Sequence, residues 1–158
     1  MSACALTGHR QIEPGFSLDL LQKYLEEMLE NGVDTFYCGM AIGFDLYCAH
    51  CLLQLKERYS FRLVACIPYA GQSDRFSPQW KQIYRRCVED ADEAVVLNDT
   101  YTRQCMSERN RYMVDRADFV FAYCTQKKGG TAFTVRYARS KGKRVFFYGE
   151  LFLSLFDF

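Results

Sequence analysis

Asp34-Thr35-Phe36-Tyr37-Cys38-Gly39-Met40-Ala41-Ile42-Gly43-Phe44-Asp45 is the stretch that decides the fold. Asp34–Cys38 is a short apolar run that reads as a strand. The chain breaks at Gly39 and turns through Gly43. It then enters a segment with Leu46, Ala49, Leu52, Leu53 and Leu55 at helical spacing, predicted to run to about Tyr59. Strand, glycine turn and helix in immediate succession form the repeating unit of a parallel α/β sheet.

The same unit recurs on both sides. Upstream, Ala3–Thr7 reads as a strand. Ser17 then caps a helix carrying Leu20, Leu21, Tyr24, Leu25, Met28 and Leu29, which Asn31-Gly32 ends. Downstream, Arg62–Ile67 is a strand closed by Pro68, and Ser77-Pro78 opens a helix with proline at its favoured first position. Glu93–Leu97 is a fourth strand, about Arg103 to Arg116 a helix, and Asp118–Cys124 a fifth strand. Gly129-Gly130-Thr131 opens a last helix to Ser140, and Arg144–Tyr148 is a sixth strand. Continuous apolar runs of this length belong to strands covered by helices on both faces. The expectation is a Rossmann-like three-layer α/β/α fold, with a mostly parallel sheet of about six strands joined by right-handed crossovers.

At 158 residues, 1–158 is expected to be a single domain. An apolar fraction of 49% and a charged fraction of 25% exclude a disordered chain. A net charge of +1 argues against an extended nucleic-acid surface while leaving room for a local anion pocket. Met1-Ser2-Ala3-Cys4 lacks a basic leader, and no apolar run approaches the roughly 18 residues of a membrane span, so a cytoplasmic protein with no membrane partner is expected. Eight cysteines fit a reducing compartment. Cys4, Cys38, Cys66 and Cys124 fall in the apolar strands, where cysteine packs as a small hydrophobe. Cys48 and Cys51 form one C-x-x-C in mid-helix with no second pair, and are assigned to packing rather than to zinc or redox chemistry. No metal and no cofactor is expected. Leu151–Phe158 is unusually apolar and either packs back on the core or makes a subunit contact.

In open α/β sheets ligands sit beyond the carboxyl ends of the strands, near the point where strand order reverses. The residues just after each strand are therefore the candidates. Thr7-Gly8-His9-Arg10 supplies a glycine, a titratable ring and a fixed charge. Gly39 and Gly43 sit at a strand-to-helix turn whose N–H groups would attract an anion. Asp45 follows in the first helical turn, either complementing the dipole or accepting a hydrogen bond from a ligand hydroxyl or base. Arg75 lies in the polar loop after the third strand and is either a phosphate partner or a solvated arginine. Tyr101 follows the fourth strand and is a candidate to stack on a base. Gly129, Gly130 and Thr131 form a second anion nest at a helix N-terminus. Arg109 and Asn110 share a helix face with Met113 and become pocket groups if that face looks toward the sheet edge. His50, in mid-helix beside Cys51, is set aside as a core or surface histidine. Neither a G-x-G-x-x-G nor a Walker loop is present.

Four segments occur in a telling order: Thr7–Arg10, Gly39–Asp45, Arg109-Asn110-Arg111-Tyr112-Met113-Val114-Asp115, and Gly130-Thr131-Ala132-Phe133-Thr134-Val135-Arg136-Tyr137-Ala138. The series resembles the YpsA-like branch of the SLOG superfamily, Rossmann-like proteins related to the LOG and DprA families. The resemblance covers nearly the whole chain. It implies a domain that senses or processes a nucleotide-derived small molecule, and it is consistent with a homo-oligomer. LOG enzymes are similar in fold and cleave the N-glycosidic bond of nucleoside monophosphates, using a glutamate three residues after a Gly-Thr pair. Here the corresponding stretch, Gly129–Arg136, holds no carboxylate. An oxocarbenium-like transition state calls for one nearby. The reading is thus a nucleotide-binding module first. An N-glycosidase with Asp45 as carboxylate and His9 as acid/base comes second, and a DprA-like DNA-processing accessory third.

Overall fold

The computed structural model describes residues 2–150. The Leu151–Phe158 tail, and with it the expectation of core packing or subunit contact, lies outside the described residues. Within them six strands and five helices alternate: β1 (Ser2–Gly8), α1 (Leu18–Glu30), β2 (Val33–Cys38), α2 (Phe44–Leu55), β3 (Arg62–Ile67), α3 (Pro78–Asp90), β4 (Glu93–Val96), α4 (Cys105–Arg116), β5 (Phe119–Tyr123), α5 (Gly130–Ser140) and β6 (Arg144–Phe147). All neighbouring strands pair in parallel, in the order β4-β3-β2-β1-β5-β6.

Local chemistry sets the boundaries. The Ser17 hydroxyl accepts the Leu20 N–H at 3.1 Å and starts α1, while Gly32 at φ 95° ends it. Ser77 caps α3 in the same way, with Pro78 just inside. The helix α2 stops at Leu55, short of the expected Tyr59. The Arg58 and Tyr59 N–H groups both turn back to the Leu55 carbonyl, and the Lys56 ammonium binds the Phe61 carbonyl and the Asp92 carboxylate. The strand β5 ends at Tyr123, so Cys124 sits past it and is only half-buried, whereas Cys4, Cys38, Cys48, Cys51 and Cys66 are buried free thiols.

The pleat sorts the strands other than the largely exposed edge strand β4 between two cores. Cys4, Leu6, Phe36, Phe119 and Phe121 face α1, α2 and α3, while Ala5, Val64, Cys66, Val120 and Ala122 face Met113 and Val114 of α4 and Val135 and Ala138 of α5. Large rings fill the first face and small side chains the second, which lets α4 and α5 pack close to the sheet. From β1 the chain builds outward through β2, β3 and β4, then returns to place β5 on the other side of β1. The loops after β1 and β5 therefore diverge, and a cleft opens above that pair.

Candidate functional site

A cavity of about 390 Å³ occupies this cleft. The β1 loop contributes Thr7, Gly8, His9 and Arg10; Ala41 and Asp45 come from the α2 turn; Met106, Arg109 and Asn110 come from α4; Gly130 and Thr131 open α5. The i, i+3/i+4 face of α4 thus looks inward, and Arg109 and Asn110 are 5% and 8% exposed. Thr7 joins the wall with the rest of its segment, and Ala41 and Met106 join it although the sequence reading gives neither a role. Met106 precedes Arg109 by one helical turn, a spacing that carried the signal. A larger groove of about 650 Å³ runs between α2 and α3 along Tyr47, His50, Leu53, Trp80 and Ile83. It contains none of the glycine turns and borders residues preceding β3 and β4 such as Lys56, Glu57 and Asp92, so the smaller, polar cavity is the stronger site.

The turn before α2 is spent on the protein itself. Phe44 N–H donates to the His9 carbonyl and Leu46 N–H to the Ala41 carbonyl, each at 3.2 Å. Ala41 N–H donates to Asp45 Oδ2 at 3.3 Å. Met40 holds the turn in a left-handed conformation, φ 59°, unusual for a side-chain-bearing residue. Gly43, at φ 84°, is required twice over, since a Cβ there would lie 2.3 Å from the Arg10 carbonyl oxygen. A Cβ on Gly39 would meet Arg109 Nη1 at 2.6 Å, and one on Gly8 would strike the Phe44 ring. These glycines admit protein groups. At the expected anion nest of Gly39–Gly43, the Ala41 N–H is taken by the Asp45 carboxylate and the following Phe44 N–H by the His9 carbonyl.

That carboxylate, Asp45, is 5% exposed, and its Oδ1 has no hydrogen-bond partner among the described residues. Burial pushes its carboxyl up to about 6, against the opposing pull of Arg109, the Ala41 N–H and Arg10. Arg109 is not a free countercharge. Its Nη1 donates to the Gly39 carbonyl at 2.6 Å and to the Cys66 carbonyl at 3.3 Å, and its Nε donates to Asn110 Oδ1 at 2.8 Å. It ties together the ends of β2 and β3 and sets the potential at Asp45.

The α5 turn has the opposite character. No side chain caps it, and its first N–H groups have no acceptor within the helix. Gly129 adopts φ 101°, and a Cβ on it would meet nothing within 4 Å. A Cβ on Gly130 would find only Asn110 Nδ2, at 4.0 Å. Thr131 is buried in the wall, and the Thr134 hydroxyl donates to the Gly130 carbonyl at 2.9 Å. Glycine at 130 admits no neighbouring protein atom. It leaves space above a helix N-terminus.

His9 links the two diverging loops. Its Nε2 accepts the Thr125 N–H at 2.8 Å, which places the ring proton of the neutral form on Nδ1. Burial holds its pKa below the usual 6.5, against the pull of Glu13. With Nε2 engaged, only Nδ1 remains for acid/base work. Arg10 is exposed at the rim. Arg75 is also exposed and stands outside this cavity, on an adjoining one of about 340 Å³. Tyr101 is 61% exposed, sits edge-on to Tyr69 at 5.5 Å and lines neither cavity.

The sequence pattern of the YpsA family, described as the YspA SLOG family, matches residues 5–150. The chain belongs to the YpsA SLOG family. A UPF0398 protein of Bacillus pumilus (strain SAFR-032) is 24% identical over 154 residues, covering 89% of this chain and 83% of the relative. Among solved structures, DNA processing protein A (DprA) of Streptococcus pneumoniae superposes with a TM-score of 0.70 at 20% identity. The DprA of Helicobacter pylori, described for its single-stranded DNA binding mode, gives 0.69 at 17% identity. Each match covers 92% of this chain but only 50% and 64% of those longer chains. At that identity the likeness establishes a shared Rossmann-like fold. Within the YpsA SLOG chain, α5 carries no carboxylate, and the buried carboxylate of the cavity comes from α2. Among the described residues no helix is long and apolar enough to cross a membrane.

Proposed function

We propose that the β1/β5 cleft binds a phosphorylated, nucleotide-derived small molecule, with phosphate on the open N-terminus of α5 at Gly129, Gly130 and Thr131, Arg10 at the rim, and a ligand hydroxyl on Asp45. The observation that carries this reading is the pairing, in one cavity, of an uncapped glycine turn with a buried carboxylate oxygen that lacks a donor. Thermal unfolding tests it against ribose-5-phosphate and nucleoside monophosphates. Ligand at a hundred times its Kd adds about 2.7 kcal/mol of stability. For a chain of this length that raises Tm by roughly 5–10 °C. Gly130→Asp adds negative charge above the helix N-terminus and is expected to abolish the shift. A folded Gly130→Asp variant with an unchanged shift overturns the placement.

One observation favours a hydrolytic reading of the same site. A carboxyl pushed up to about 6 is poised for general acid/base work near neutral pH, and Asp45 is such a group facing the cleft. An N-glycosidase would release free base from nucleoside monophosphates, and Asp45→Asn would stop the release. The likeness to DprA carries a third reading, single-strand DNA binding. With a net charge of +1 it would rest on a local surface, and steep weakening of strand binding with salt would reveal it.

A further inference from the structure

The second cavity shares Arg10, Ala41 and Met106 with the first, so the two form adjoining compartments. Their linings differ in kind. The first is polar and holds the glycine turn and Asp45. The second is walled by the rings of Tyr69, Phe76 and Trp80, with Gln72 set among them. Gln72 is 5% exposed. Its Nε2 donates to the Gly39 carbonyl at 2.9 Å, and because a carbonyl only accepts, the amide cannot be turned around. Its Oε1 is therefore fixed as an acceptor, and it has no partner among the described residues. An acceptor orphaned in an aromatic wall costs stability unless a donor arrives.

We infer that this compartment receives a heteroaromatic base bearing an amino group, its faces against Tyr69, Phe76 and Trp80 and its amine donating to Gln72 Oε1, while the phosphate end of the same ligand lies on α5. The inference rests on the proposed nucleotide reading of the first cavity. Aromatic walls stack any base, so they supply affinity without choice. A fixed acceptor adds choice, since a base lacking a donor leaves it unpaired. Each cavity falls at the lower end of the roughly 300–1,000 Å³ typical of small-molecule sites, which suits one ligand divided between them.

Trp80 is the chain's only tryptophan and lines this compartment as well as the α2/α3 groove, so its emission responds to a ring seated here. Calorimetry and Trp80 fluorescence are to be recorded with AMP, with purine riboside monophosphate, which is AMP without its amine, and with ribose-5-phosphate. AMP is expected to bind about tenfold more tightly than the amine-free analogue, the size of one buried hydrogen bond. Both purines should change Trp80 emission, and ribose-5-phosphate should bind without changing it. In Gln72→Met the preference for AMP should fall to near unity while ribose-5-phosphate affinity stays at the wild-type value. The Gly39 carbonyl keeps Arg109 as a donor in that variant, and the wild-type comparison of the two purines stands without it. Binding of ribose-5-phosphate with no preference for AMP, or with Trp80 silent to both purines, overturns the base compartment and leaves the phosphate site standing. Failure of all three to bind overturns both.

Discussion

Replacing Asp45 by asparagine should make the protein more stable and a poorer binder. The carboxyl rises from its ordinary 3.8 to about 6, chiefly by burial. Each unit corresponds to about 1.36 kcal/mol. Ionised Asp45 therefore costs the native state roughly 3 kcal/mol above neutral pH. The native state holds this proton more tightly than the unfolded chain, so the stability it gives is fully present below the unfolded value and is lost as pH rises through about 6. Asparagine mimics the protonated form, keeps an acceptor for the Ala41 N–H, and removes the pH dependence. The variant should exceed wild type by about 3 kcal/mol near pH 8 and by only about half that near pH 5, where most native Asp45 is already protonated. Urea unfolding of both proteins at the two pH values measures the difference, and other titrating groups cancel in the comparison. An asparagine variant no more stable than wild type at pH 8, or a difference that does not shrink at pH 5, would refute the assignment of Asp45 as a destabilising carboxylate.

Arg109→Met should destabilise by about 3 kcal/mol, because it orphans the Cys66 carbonyl and Asn110 Oδ1 at roughly 1–3 kcal/mol each. It should also raise Asp45 further, seen as a steeper loss of stability between pH 5 and 8. Gly43→Ala combines a positive φ with a Cβ 2.3 Å from a carbonyl oxygen, and should cost more than the roughly 1 kcal/mol of the conformation alone, read as a lower urea midpoint. His9 should titrate below 6.5 by NMR, and its contribution to stability should be present above that value and fade as pH falls, opposite in sign to Asp45. A His9 titration above 6.5 would contradict its pairing with the Thr125 N–H.

The alternation of strands and helices was legible because the pleat splits the central strands between two helical layers, so their inner positions are hydrophobic on both faces. Topology also explains why Gly8, His9, Arg10, Asp45, Arg109, Asn110, Gly130 and Thr131, far apart in the chain, line one cavity. What each glycine does was not legible. Gly39 and Gly130 look alike in the chain, yet one yields to a guanidinium and the other faces open space. That difference depends on Arg109, seventy residues from Gly39, reaching across the sheet. Gln72 carried no signal either, because an orphaned amide oxygen is defined only by its folded surroundings. For Arg75 the sequence leaves a phosphate partner and a solvated arginine equally open, and the β3 loop carries it, exposed, to the adjoining cavity.

The cleft carries both signs of potential, and under the proposed function that bears on which phosphate it would take. The α5 N-terminus attracts an anion, while Asp45, on the facing wall, repels one and asks for a donor. Inorganic phosphate satisfies the first and aggravates the second. A sugar phosphate satisfies both, its hydroxyl meeting Oδ1 in a charge-assisted bond of about 1.5–3 kcal/mol. Ribose-5-phosphate should therefore bind at least about tenfold more tightly than inorganic phosphate. Asp45→Asn should narrow that ratio from both ends, by weakening the sugar contact and relieving the repulsion, even as it stabilises the fold. Equal affinities of wild type for the two, measured by calorimetry, would mean that Asp45 does not meet the ligand. Its raised carboxyl would then be a cost of burial that Arg109 only partly offsets, with no part in recognition.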